Sequence, residues 1–149
     1  MILVNKINTK MAYWLIKSEP DSYSWQQMQQ DVITAWDGVR NYQARNNLRA
    51  MIVGDVAFFY HSNKERIIKG TVEVVREYYT DPSDKTERFG IVDVKFQKSL
   101  VSSISLAFIK NHPQLQNMAL VKQSRLSVMP VSALHFQLIT DISNALTAI

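Results

Sequence analysis

Cysteine is absent from the 149 residues, which removes disulfides, thiolate metal sites and thiol nucleophiles together. Histidine is scarce: His61, His112 and His135 are the three in the chain, and they lie too far apart to share a ligand spacing, so no metal site is expected. With only four glycines there is no phosphate-cradling Gly-rich loop, and neither a G-x-S-x-G elbow nor an H-E-x-x-H helix occurs. No apolar run approaches the roughly 18 residues of a membrane span. The opening MILVNKINTK holds an apolar patch too short for the core of a signal peptide. These absences lead us to expect a cytosolic protein with no membrane partner, no metal and no cofactor.

What is present suffices for one core: the chain is 46% hydrophobic and 20% charged, in the ordinary range for a single domain. Its formal charge of +4 favours anionic partners without choosing among them. Regular patterning begins near Met11, so residues 1–11 are expected to be a weakly ordered extension and 12–149 a single domain.

Ala12 to Ser18 reads as an aromatic-rich strand, ended because Pro20 pushes Glu19 out of helical geometry. Ser24 caps a short helix to Asp31, Val32 to Gly38 is extended, and Asn41 caps a helix reaching about Ile52. From Asp55 the period changes to two, giving three consecutive antiparallel strands in DVAFFYHS, RIIKGTVEVVREYY and RFGIVDVKFQ. Gly70 inside the second suggests a bend that curls the sheet towards a barrel. Helices are expected over Ser105 to His112 and from Ser132 to about Ile142, with a last strand region in VKQSRLSVMPV between them. The fold class is α+β, a strongly curved mixed sheet approaching a barrel, with peripheral helices.

The chemistry-bearing residues cluster in WDGVRNYQARNNLRAM, Trp36 to Met51. Ala44, Leu48, Met51 and Ile52 form the apolar stripe of its helix, flanked by Tyr42, Arg45, Asn46 and Arg49, with Arg40 in the preceding turn. Trp36 and Tyr60 stand where strands give way to polar turns, positions suited to stacking a planar guest. Glu19 offers a carboxylate able to accept from an amine-bearing base edge. Arg125 and Ser127 are expected on one face of a strand. Each has a bland alternative: a solvated helix flank, a core aromatic, an exposed turn charge. For catalysis only a Glu19 and Asp37 acid/base pair suggests itself, and nothing in the spacing joins them, so a binding protein is expected in preference to an enzyme.

The segments YWLIKSEPDSYS, WDGVRNYQARNNLRAM, VGDVAFFYHSN, GTVEVVREYYTDP and QSRLSVMPV together resemble the EVE domain family, over about Ala12 to Ile139. The resemblance implies a PUA-like fold and a non-catalytic reader of modified bases, 5-methylcytosine or 5-hydroxymethylcytosine, with DNA a more natural partner than RNA. An RNA-binding module and an enzyme acting on a modified nucleotide are the alternatives. The implied base pocket comprises Lys17, Ser18, Glu19, Pro20, Trp36, Asp37, Asn41, Tyr42, Tyr60, His61 and Ser62. Arg40, Arg45, Arg49, Arg125 and Ser127 are the implied phosphate contacts. On this reading Trp36→Ala weakens binding while leaving the melting temperature nearly intact.

Overall fold

The structure is a computed structural model that describes residues 11–146; the expected extension, Met11 apart, lies outside the described residues. Tyr13–Ser18 forms β1, Ile33–Trp36 β2, Val56–His61 β3, Ile67–Thr80 β4, Gly90–Ser105 β5 and Val128–Val131 β6. They make one sheet in the order β2-β5-β4-β3-β1-β6. The helices are α1 (Trp25–Asp31), α2 (Tyr42–Ala50), α3 (Leu106–Asn111), α4 (Ala119–Lys122) and α5 (Ala133–Leu146), with a 3-10 turn at Pro113–Leu115. Neighbours β3, β4 and β5 are antiparallel, as the alternation predicts, whereas β1 runs parallel to β3 and antiparallel to β6.

The local chemistry of the ends explains where the helices begin. Ser24 Oγ accepts from the Gln27 amide at 3.0 Å and Asn41 Oδ1 from the Ala44 amide at 2.9 Å, each satisfying a donor that has no intrahelical partner. A second acceptor serves α1: His61 Nε2 takes the Trp25 amide at 2.9 Å. An amide only donates, so Nε2 carries the lone pair and Nδ1 is the nitrogen that donates to Glu65, 2.9 Å away.

The sheet is not closed into a barrel and is not strongly curved, which corrects the expected architecture. Its outer strands β2 and β6 have one neighbour each. The reason lies in β3, all six of whose residues are buried. Phe58 stacks on Phe136 of α5 at 4.3 Å between centroids, while Phe59 meets Trp25 of α1 at 4.9 Å. Successive side chains point to opposite faces, so helices cover both faces and neither is left to wrap around an interior. Burying Leu15, Ile16, Phe58 and Phe59 completely contributes about 1.5–3 kcal/mol each.

Gly70 has a different role from the one its sequence context suggests. Register shifts do occur beside it, but its missing side chain chiefly makes room for the Trp25 ring: a Cβ there lies 2.2 Å from Trp25 Cζ2 and 2.6 Å from the Lys98 carbonyl oxygen. Trp25 is held down by its Nε1–H, which donates to Ser99 Oγ at 2.9 Å. Gly70→Ala is therefore expected to destabilise by at least the ~1–3 kcal/mol typical of overpacking. Thermal denaturation measures this; an unchanged midpoint would show that Trp25 moves freely.

Candidate nucleic-acid interface

Two clefts open where β1 and β3 end. Their parallel register runs from Tyr13↔Val56 to Ser18↔His61, so Lys17, Ser18 and Glu19 emerge beside Tyr60, His61 and Ser62. The Ser62 amide closes this end by donating to the Ser18 carbonyl at 2.9 Å. Beyond it the Glu19-Pro20 turn forms, its Glu19 carbonyl accepting from the amides of Ser22 and Tyr23 at 2.9 and 2.8 Å.

The first cleft, of about 510 Å³, lies between this turn and the loop after β2. Lys17, Ser18, Glu19, Trp36, Asp37, Arg40 and Ser127 line it, joined by Ser22, Tyr23, Thr34, Ala35, Gly38 and Val39, which sequence reasoning did not place there. Glu19 and Asp37 are exposed. Trp36 is 8% exposed and meets Phe59 and Tyr23 edge-on, at 5.5 and 6.2 Å between centroids. It thus serves the core and the cleft floor together.

A buried carboxylate holds the far wall. Asp81 Oδ2 accepts from the Gly38 amide at 3.4 Å and from Arg40 Nη1 at 3.3 Å, while Oδ1 takes the amide and hydroxyl of Ser83. Gly38 has φ of 77°, a left-handed conformation that suits glycine. Arg40 also gives Nη1 to the Val39 carbonyl and Nη2 to Ser83, which leaves Nε–H and one Nη2–H for a guest.

The second cleft, of about 800 Å³, shares Lys17, Glu19 and Ser127 with the first and adds Tyr60, Ser62 and Arg125. Asn63, Arg66, Lys110 and Ser124 complete its polar lining and were not among the expected site residues. Arg66 stood at the head of the segment read as the second of the three strands; Lys110 carried no signal. Burial raises the Tyr60 hydroxyl above its ordinary value, the nearby Arg66 opposing, and burial lowers the Lys17 ammonium. Lys17 Nζ donates to the Ser124 carbonyl at 2.8 Å.

Several expected site residues lie elsewhere. Pro20 and Ser62 flank the clefts' shared edge, but only Ser62 lines one of them. His61 is buried and its ring nitrogens are committed to Trp25 and Glu65. Tyr42 lies outside both clefts, against Phe89 and under the Arg45 guanidinium at 4.8 Å. Arg45 donates to the Arg88 carbonyl and Arg49 covers the Tyr78 ring at 5.3 Å, so both face the β4–β5 hairpin rather than the clefts. Asn41 lines a smaller groove with Arg125. Ser124 and Arg125 form a turn, not a strand: α4 reaches Lys122 and the Leu126 amide bonds back to the Gln123 carbonyl.

Comparison with known proteins fits this arrangement: the EVE domain profile matches residues 12–142. The chain belongs to the EVE domain family. Human thymocyte nuclear protein 1 is 37% identical over 172 residues, covering 93% of this chain and 76% of its own. The NMR structure of a Rhodopseudomonas palustris protein is 45% identical with a TM-score of 0.86, over 91% of this chain and 95% of that one. The crystal structure of human THYN1 protein in complex with 5-methylcytosine-containing DNA is 37% identical with a TM-score of 0.82, over 89% and 97%. The cytosolic expectation is corrected here, since relatives from human, rat, zebrafish, chicken and mouse carry the name of a nuclear protein. The absence of a long apolar helix does not distinguish cytosol from nucleus. Among the described residues of this EVE domain no helix is long and apolar enough to cross a membrane, and no three His, Asp or Glu group as metal ligands.

The hairpin behind the first cleft makes the EVE domain acid-sensitive. Asp84 accepts from the Thr86 hydroxyl and from the Phe89, Thr86 and Arg88 amides, which outweigh its desolvation and bring its carboxyl down to about 2. Burial alone would raise Asp81, but the bonds from Ser83, Gly38 and Arg40 lower it below its ordinary value. Both groups have folded values below their unfolded ones. Their stabilisation is therefore complete above the ordinary carboxylate range and is lost as pH falls through it towards about 2. Protection of the Gly38 and Phe89 amides, measured relative to the intrinsic exchange rate at each pH, should be high near neutrality and fall across that window, and Asp84→Asn should flatten the change at Phe89.

Proposed function

We propose that this chain is a non-catalytic DNA-binding domain that reads a cytosine carrying a 5-methyl or 5-hydroxymethyl group, held out of the helix in the first cleft. The observation that carries this reading is the cleft itself. About 510 Å³ is enclosed by an exposed carboxylate, a tryptophan floor and a half-free arginine, in a chain 37% identical to the human protein solved with 5-methylcytosine-containing DNA. The volume falls within the usual range of small-molecule pockets, ~300–1,000 Å³.

Extruding a base costs a few kcal/mol, and the cleft answers with contacts of two kinds. The Glu19 carboxylate accepts from the exocyclic amine, a pairing worth about 1–3 kcal/mol of discrimination against a base without one. Trp36, Ala35 and Val39 supply the apolar surface for the ring and its substituent. Burying one methyl group contributes only ~0.8 kcal/mol, about fourfold in affinity. Cytosine identity is therefore read strongly and methylation weakly through the pocket alone. Arg40 stands at the cleft with its remaining donors for an adjacent phosphate oxygen, a contact that adds affinity without sequence information.

Trp36 is a poor probe of this reading, contrary to the expectation from sequence. Its burial between Phe59 and Tyr23 means that Trp36→Ala should cost ~3–5 kcal/mol of stability, mixing unfolding with loss of binding. Glu19 is exposed and separates the two. Glu19→Ala should weaken binding of a 5-methylcytosine oligonucleotide about tenfold with the melting temperature unchanged; fluorescence anisotropy beside thermal denaturation decides it. Equal binding by the variant would remove Glu19 from the base edge.

A further inference from the structure

The cations of the second cleft touch backbone carbonyls and a ring but no carboxylate of the described residues. Arg66, Lys110 and Arg125 are exposed, and with Lys17 they converge on one cavity of about 800 Å³. Among the described residues the ion pairs are Arg40 with Asp81 and His61 with Glu65, so none of these four is neutralised by a carboxylate in contact. The contrast with four of the other arginines is informative: Arg40 is paired, and Arg45, Arg49 and Arg76 each lie over a tyrosine ring. Three separate stretches of chain bring Arg66, Lys110 and Arg125 to Lys17 of β1. Arg66 comes from the turn between β3 and β4, its backbone at φ of 53° and its Nε–H anchored on the Asn63 carbonyl at 2.9 Å. Lys110 comes from the last turn of α3, and Arg125 from the turn after α4.

Holding four cations around one cavity costs repulsion, and within the lining only Glu19, on the ridge shared with the first cleft, carries the opposite charge. Tyr60 is buried at the cleft floor, with too little ring surface to stack a second base. The rest of the lining is hydroxyl and amide from Ser62, Asn63, Ser124 and Ser127, with Leu106 and Leu120 beneath and the Glu19 carboxylate on the ridge towards the first cleft. This is chemistry for a sugar-phosphate and not for a base. The two clefts share the ridge of Lys17, Glu19 and Ser127, so a strand whose base drops into the first has its neighbouring backbone led over that ridge.

We propose that the second cleft is a dedicated phosphodiester site, in which Arg66, Lys110 and Arg125 grip the backbone phosphate next to the extruded nucleotide. The identity of the strand rests on the function proposed above; the phosphate chemistry does not. Lys17, half-buried on the ridge between the two clefts, supports the same site.

The test pairs side chains with single phosphates. Oligonucleotides carrying one 5-methylcytosine and one neutral methylphosphonate, stepped through the positions on either side, are titrated against wild type, Lys110→Gln and Arg66→Gln by anisotropy at two salt concentrations. Lys110 is an exposed helix residue, so its variant keeps the test valid if the strained Arg66 turn tolerates substitution poorly. Each variant should bind about tenfold more weakly, with the salt slope reduced by about 1, equally for methylated, plain and abasic strands. One methylphosphonate position should cost wild type about tenfold and cost the variants nothing further, the coupling expected of a direct contact. Unchanged affinity and slope in both variants, or losses that simply add at every position, would overturn the phosphodiester site. If the coupling appears but methylated, plain and abasic strands bind alike in wild type, the phosphate site stands and the base-reading function falls.

Discussion

The parallel pairing of β1 with β3 governs everything that follows, and a single buried carboxylate sets its register. Asp55 is 1% exposed and accepts three bonds, from the Ala12 amide at 3.1 Å, the Trp14 indole at 3.0 Å and the Ile52 amide at 3.0 Å. It thereby ties the start of β1 and the turn after α2 to the start of β3. A carboxylate out of water needs such donors, and the donors are available only when Tyr13 faces Val56. Side chains alternate along a strand, so a slip of one residue would turn Lys17 away from the clefts and drive the wrong face of β1 into the core. Register at the strand origin therefore decides which groups meet at the strand ends.

From that constraint the architecture divides its labour. Aromatic residues crowd the first sixty positions, yet most of them build the core: Phe59 gathers Trp25, Trp36 and Tyr23 on one face of the sheet, and Phe58 meets α5 on the other. Only the edge of this cluster reaches solvent, as the floor of the first cleft. The cations divide likewise. Those on the flank of α2 lie on rings and carbonyls of the hairpin, where they cover apolar surface as well as carrying charge, and those around the second cleft stay unpaired. The asparagines of the same segment act on backbone: Asn41 caps α2 and Asn47 Nδ2 donates to the Val128 carbonyl at 2.7 Å, binding α2 to β6.

Local signals were readable from the residues alone. The caps at Ser24 and Asn41, the turn forced by Pro20 and the two-residue period of β3 to β5 each depend on neighbours in sequence, as does the convergence of Glu19 with its own turn. Contacts between distant segments were not readable. The KSEP and WDGVRNYQARN segments pointed to one family and so to Glu19, Trp36 and Arg40, but which face of α2 the clefts occupy depends on its docking against β6, and Tyr42, Arg45 and Arg49 fell on the other side. Gly70 looked like a bend because a glycine within a strand often is; that it accommodates Trp25 is a fact of tertiary packing. Arg125 looked like a strand residue because Arg125 to Val128 alternates polar with apolar, although Gln123 to Leu126 close a turn. Lys110 enters its cleft only because α3 returns beneath the β3–β4 turn, where the Leu106 amide bonds to the Arg66 carbonyl at 2.9 Å.

The central claim is that the cleft between Glu19 and the Trp36 to Arg40 loop receives one modified cytosine. The most direct measurement is an ¹⁵N-resolved NMR titration of the protein with a short duplex carrying a single 5-methylcytosine, following the Glu19, Asp37 and Gly38 amides and the Trp36 indole together. The account predicts that these four signals shift in concert and saturate at one duplex per protein, and that they stay still when the modified position is made abasic. Shifts confined to the basic residues of the second cleft, with the Glu19 and Trp36 signals unmoved by the intact duplex, would contradict it.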